Sequence, residues 1–109
     1  MFPPTLDELV PQDHEVRFVA EFVEQVDLRN LGIDPAPAPE GRPSYPPRML
    51  LACWVYGFMV RVRSSRKMER ACRERMPFMW LSGMTAPDHN TFWLFYKENR
   101  EGVRRILKE

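Results

Sequence analysis

The chain has 109 residues, of which 44% are apolar and 28% charged, with 7 Phe, 3 Trp and 3 Tyr. That length suits one domain burying roughly two-thirds of the surface its unfolded chain exposes, so a folded unit is expected and wholesale disorder is excluded. A net charge of +1 conceals a division: residues 1–41 carry 9 acidic against 2 basic side chains, whereas residues 42–109 carry 14 basic against 6 acidic. The balances are −7 and +8, which points to an anionic partner, nucleic acid or an anionic membrane surface, for the second half alone.

In chain order, the opening Met1-Phe-Pro-Pro-Thr5 lacks the basic-then-apolar order of a secretory signal, and a cytoplasmic protein is expected. Asp13 is positioned to cap a helix running to about Leu28, with Val16, Val19, Phe22, Val23 and Val26 at helical spacing. Asn30 and Gly32 supply stop signals, which makes residues 1–32 an acidic helical segment. Residues 33–45, rich in Pro, Ala and Gly and without periodicity, read as a linker or loop.

Residues 46–109 read as a basic helical portion. Pro46-Pro47 opens a second helix, because Pro suits a first turn. Its body, residues 49 to 60, is apolar on every face, the pattern of a central helix wrapped by others. Those 12 residues contain Gly57 and are too few to span a bilayer. Ser64 or Ser65 caps a third helix reaching about Arg75, Pro77 blocks its simple continuation so that Phe78-Met-Trp-Leu81 forms one short turn of helix closed by Gly83, and Asp88 caps a fourth helix through residue 108. Phe92, Phe95, Tyr96, Val103 and Ile106 share one broad face of that helix. No segment alternates with period two, so the expected fold is all-α: a small bundle of about four helices with a helix-turn-helix-like C-terminal half. Cys53 and Cys72 sit inside apolar helical patterns and read as buried thiols.

The stretch from 61 to 75 holds Arg61, Arg63, Arg66, Lys67, Arg70, Arg73 and Arg75 against Glu69 and Glu74, a balance of +5. At about 100° per residue, Arg66, Arg70 and Arg73 fall within about 60° of one another, opposite Met68, Ala71 and Cys72. Such a helix packs one side on a core and offers guanidinium forks, matched to phosphate, on the other. The apolar side is too small for deep insertion into a membrane surface. The alternative is an ordinary solvated face, partly neutralised by Glu69 and Glu74. In a helix-turn-helix the second helix enters the major groove by its first turn, which here offers His89, Asn90 and Thr91, with Lys97 and Arg100 farther along. Asn pairs bidentately with adenine, and Lys or Arg holds phosphate. Capping chemistry after Pro87 explains His89-Asn90-Thr91 equally simply. Trp54, Trp80 and Trp93 read as core or rim packing.

Several blocks carry a resemblance: Pro4-Thr-Leu-Asp-Glu-Leu-Val-Pro-Gln-Asp-His14, Tyr45-Pro-Pro-Arg-Met-Leu-Leu51, Arg63-Ser-Ser-Arg-Lys-Met-Glu-Arg70, Phe78-Met-Trp-Leu-Ser-Gly83 and Pro87-Asp-His-Asn-Thr91. In this order the set resembles the N-terminal, InsH-like domain of insertion-sequence transposases with an Asp-Asp-Glu catalytic site. The resemblance implies binding of double-stranded DNA at transposon ends, the terminal inverted repeats. It also implies that a ribonuclease-H-like catalytic domain follows. Around Phe95 the family carries several basic residues where this chain has Trp93, Leu94 and Tyr96.

No catalytic residue, metal ligand or cofactor is expected here. Two-metal cleavage needs carboxylates converging on ions roughly 4 Å apart, whereas Glu69, Glu74 and Asp88 are spaced as helix-surface and capping residues. Ser64-Ser65 reads as a helix cap rather than a recombinase nucleophile. Because the sequence stops at Glu109, a truncated frame, one cistron of a split transposase or an excised domain is expected. The alternative functions are a protein-interaction module that self-associates or pairs with a full-length transposase and regulates it, and a decayed remnant.

Overall fold

The computed structural model describes residues 5–34 and 45–108. They form seven α-helices and one 3₁₀ turn: α1 (Thr5–Leu9), α2 (Glu15–Glu24), the 3₁₀ turn Arg29–Leu31, α3 (Pro47–Val60), α4 (Ser65–Glu74), α5 (Met76–Leu81), α6 (His89–Glu98) and α7 (Arg100–Lys108). Among the described residues there is no strand, in line with the all-α expectation. Seven helices replace the expected four for three reasons. A short helix precedes α2, the expected short helical turn after Pro77 counts as a helix of its own, and the long C-terminal helix breaks at Asn99.

Helix α3 is central, as its continuous apolar sequence requires. It packs against α2, α4, α5, α6 and α7, and Leu50, Leu51, Ala52, Cys53, Trp54 and Tyr56 are all buried in it. Aromatic rings extend this core: Trp54 meets Phe92 edge-on at 6.3 Å and Tyr96 at 5.2 Å, and Tyr56 meets Phe78 at 5.0 Å. Burying each such side chain contributes about 1.5–3 kcal/mol. Gly57 is required near the end of α3. A Cβ there would lie 2.5 Å from the Val62 carbonyl oxygen and 2.7 Å from Met68 Cε, so only a hydrogen lets α4 close on α3.

The caps follow the sequence at three of four sites. Pro47 lies in the first turn of α3, the Ser64 hydroxyl accepts from Lys67 N at 3.1 Å to start α4, and Asp88 Oδ1 accepts from Thr91 N at 2.9 Å to start α6. The exception is α2. Asp13 does not cap it; His14 does, with Nδ1 accepting from Val16 N at 3.0 Å. Residues 11–14 form a turn, His14 N donating to Pro11 O, which places the imidazole rather than the carboxylate at the helix start.

Helix α2 also ends at Glu24, not near Leu28. The carbonyls of Val23, in its last turn, and Val26, just beyond it, accept from Arg48 Nη1 at 2.8 and 2.7 Å, so a guanidinium on α3 closes the end of α2. The chain then enters the 3₁₀ turn, which Gly32 closes at φ 79°. Of the expected linker at 33–45, residues 35–44 lie outside the described residues, and at its near end Ile33 is buried. Ile33 rests against α7 at Gly102, where a Cβ would approach the Leu31 carbonyl oxygen to 2.5 Å.

The break at Asn99 has a local cause. Asn99 Nδ2 donates to the Phe95 carbonyl at 3.0 Å and its backbone leaves helical geometry at φ −125°, ψ 28°. A side chain that bonds nearby backbone in this way competes with the helix ladder. Val103 and Ile106 still reach the core, from a separate helix.

Candidate nucleic-acid interface

Helix α4 divides as its spacing requires. Met68, Ala71 and Cys72 are buried, and Arg66, Lys67, Arg70 and Arg73 are exposed. Cys53 and Cys72 are free and buried, and the hydrogen bond to Cys72 together with burial pushes the Cys53 thiol well up, so it stays protonated. α4 packs on both α5 and α6, which sets the start of α6 beside the cationic face.

One carboxylate makes that junction. Glu69 Oε1 accepts from the backbone N–H of His89 at 3.1 Å and lies 2.7 Å from His89 Nδ1, and Glu69 Oε2 pairs with Arg73 Nη2 at 3.0 Å. The hydrogen bond from His89, ahead of the nearby Arg73 charge, holds the Glu69 carboxyl below its ordinary value. The carboxylate is therefore ionised at neutral pH and can only accept, which assigns the proton to His89 Nδ1. Thr91 is similarly committed, its Oγ1 donating to Asp88 Oδ1 at 2.9 Å. These two bonds from Thr91 hold the Asp88 carboxyl low as well.

The other anticipated residues separate into engaged and open groups. Arg63 folds back, its guanidinium 4.4 Å from the Phe58 ring centre and donating to the Phe58 carbonyl at 3.1 Å. Arg100 lies 5.9 Å over the Tyr96 ring. Arg61 is exposed in the left-handed region at φ 68°, where it ends α3. Arg61, Arg66, Lys67, Arg70, Asn90 and Lys97 are exposed, with no side-chain hydrogen bond or ion pair among the described residues. The structure thus brings Arg66, Arg70 and Arg73 together on α4 and, through Glu69, next to His89 and Asn90. Lys97 lies at the far end of α6, and Arg100 opens α7.

Sequence reasoning missed Glu69 as the organiser of this site. The four-residue spacing to Arg73 was readable, but the bond to His89, 20 residues away, is set by tertiary packing. On the opposite, acidic side, Arg17 is absorbed structurally. It donates to the carbonyls of Asp7, Val10 and Pro11, pairs with Asp7 at 3.2 Å and lies 4.8 Å over Trp80, tying α1 and α2 to α5. Trp80 Nε1 also donates to Asp7, and that bond, then Arg17, lowers the Asp7 carboxyl. Among the described residues no group of three or more His, Cys, Asp or Glu side chains could hold a metal ion, and no helix is long and apolar enough to cross a membrane.

These features define a small all-helical domain with a solvent-facing cationic helix set against the start of another. The family model described as transposase domain (DUF772) matches residues 4–98, and the chain belongs to that family. No curated protein and no solved structure matches it.

Proposed function

We propose that the chain binds duplex DNA at the ends of a mobile element, its terminal inverted repeats, as a non-catalytic N-terminal part of an insertion-sequence transposase. One observation carries this reading: within a transposase domain, Arg66 and Arg70 stand exposed and unpaired on α4, beside an equally unpaired Asn90 in the first turn of α6. In this reading α4, α5 and α6 act as a helix-turn-helix variant. The α4 arginines hold phosphate, and Asn90 faces base edges. His89 and Thr91 support the geometry, since Glu69 and Asp88 already engage them. Asp88 serves as a cap and Glu69 as a tie between α4 and α6, which supports a binding role for them rather than cleavage.

Equilibrium binding to an element-end duplex and to a scrambled duplex tests the assignment. Arg70→Ala should weaken both alike, because phosphate contacts carry no sequence information. Asn90→Ala should cost about 1–3 kcal/mol on the element end alone. Equal losses on both duplexes for Asn90→Ala would limit Asn90 to starting the helix. An unaltered affinity for Arg70→Ala would remove α4 from the interface.

A second reading, self-association or pairing with a full-length transposase, is favoured by an apolar strip on α2 and α3. Phe18 is 64% exposed, and Phe22, Phe58 and Met59 are also exposed, around a groove of about 500 Å³. Phe18→Ser with Phe22→Ser should then abolish concentration-dependent association in sedimentation, leaving monomer affinity for DNA unchanged.

A further inference from the structure

A second groove, of about 780 Å³, lies between the end of α3, the 61–64 connection, α6 and α7. Its volume falls within the range of roughly 300–1,000 Å³ typical of small-ligand sites. Three cations, Arg63, Arg104 and Lys108, line it together with four aromatic residues, and no acidic side chain does. The aromatic residues are not equivalent. Trp54 is buried against Phe92 and Tyr96, Tyr96 also lies under Arg100, and Arg63 covers Phe58. Trp93 alone is both 46% exposed and without a ring or cation partner among the described residues. At the groove's wall, Trp54 is 8% exposed and its buried indole N–H has no acceptor among the described residues. Buried donors left unpaired are uncommon.

We infer that this groove binds an unpaired stretch of nucleic-acid strand, with a base stacked on Trp93 and its phosphates held by Arg104 and Lys108. A planar face beside a cluster of cations matches the two chemistries that a single strand presents together, and duplex DNA hides its base faces. The groove's lining does not include Arg66, Arg70 or Asn90, and Trp93 stands one helical turn beyond Asn90 on α6. The inference rests on the nucleic-acid reading above and extends it from duplex to single strand.

The test uses the full chain and three labelled probes in fluorescence anisotropy: an oligothymidylate of about eight nucleotides, an abasic strand of equal length and charge, and a duplex of unrelated sequence. Oligothymidylate should bind about tenfold more tightly than the abasic strand, since one stacked base accounts for such a factor. Trp93→Ala should lose about tenfold on oligothymidylate, Trp93→Phe should recover most of it, and duplex affinity should stay within about twofold. Equal affinity for thymidylate and abasic strands overturns the inference, and this comparison needs no variant. So does a folded Trp93→Ala chain that binds thymidylate as the parent does. Absence of strand binding, with self-association that Trp93→Ala abolishes, overturns it too and assigns the groove to a second copy of the chain. The two readings fail separately: Arg70→Ala should lower duplex affinity while leaving the thymidylate-to-abasic ratio unchanged.

Discussion

Arg48 offers the sharpest quantitative check on how the acidic half is fixed to the basic half. Its half-buried guanidinium donates to the carbonyls of Val23, in the last turn of α2, and Val26, just beyond it, and Val23 O otherwise accepts from Val26 N at 3.2 Å. Hydrogen bonds to charged groups contribute about 1.5–3 kcal/mol, and a cation at a helix C-terminus adds about 0.3–1 kcal/mol. Arg48→Met keeps the stem's packing and the helix propensity of α3 while removing both bonds, so a loss of about 2–3 kcal/mol is expected. Against a total of about 5–15 kcal/mol, that is a large share. For a domain of this size it corresponds to a Tm lower by roughly 8–24 °C. Urea and thermal unfolding followed by far-UV circular dichroism measure it, and Arg48→Lys should recover part. A methionine variant within about 0.5 kcal/mol of the parent, the range of neutral surface changes, would refute this account of the α2 terminus.

Arg61 ends α3 at φ 68°, a conformation suited to glycine, so Arg61→Gly should raise stability by about 0.5–1 kcal/mol in urea unfolding while lowering duplex affinity. A less stable variant would contradict it. Glu69, Asp7 and Asp88 all have folded-state carboxyls below their ordinary values, so their stabilisation is present above the unfolded value and lost as pH falls through the folded one. Tm should therefore fall on acidification below about pH 4, and less so in Glu69→Gln; an unchanged Tm between neutral and strongly acidic pH would count against these bonds. In cells, excess of this chain should lower transposition of a related element by occupying its ends, and neutralising Arg66, Arg70 and Arg73 together should abolish that effect. Inhibition that survives the triple change would point to mixed complexes through the α2–α3 strip instead.

Local chemistry was legible in the sequence, and long-range chemistry was not. The apolar run of α3, the Ser64 and Asp88 caps and the glycine stop at Gly83 all act over a few residues, and each appears where spacing placed it, whereas Gly32 closes a separate 3₁₀ turn and not the helix before it. The substitution of His14 for Asp13 as a cap arose because a turn from Pro11 decides which side chain reaches Val16 N. The break at Asn99 escaped notice because neither Pro nor Gly marks it, and only the side chain's bond to Phe95 O shows why the ladder stops. At the candidate interface, helical spacing gave the α4 face correctly, since burial of Met68, Ala71 and Cys72 fixes the helix's rotation. What spacing cannot reveal is which cations are already engaged. Arg73 is held by Glu69, and Arg63 by Phe58, through contacts that exist only once the helices have met.

The salt dependence of duplex binding tests the central claim most directly. Within residues 61–75, Arg61, Arg66, Lys67, Arg70 and Arg75 are exposed and free of side-chain hydrogen bonds and ion pairs among the described residues. Each phosphate neutralised contributes about −0.9 to the slope of log affinity against log salt, so about five contacts give roughly −4 to −5. Titration of the purified chain with duplex DNA at graded salt should return that slope, and Arg66→Ala with Arg70→Ala should make it shallower by about 2. No binding at low salt, or a slope near zero, would contradict a DNA-binding role for this face.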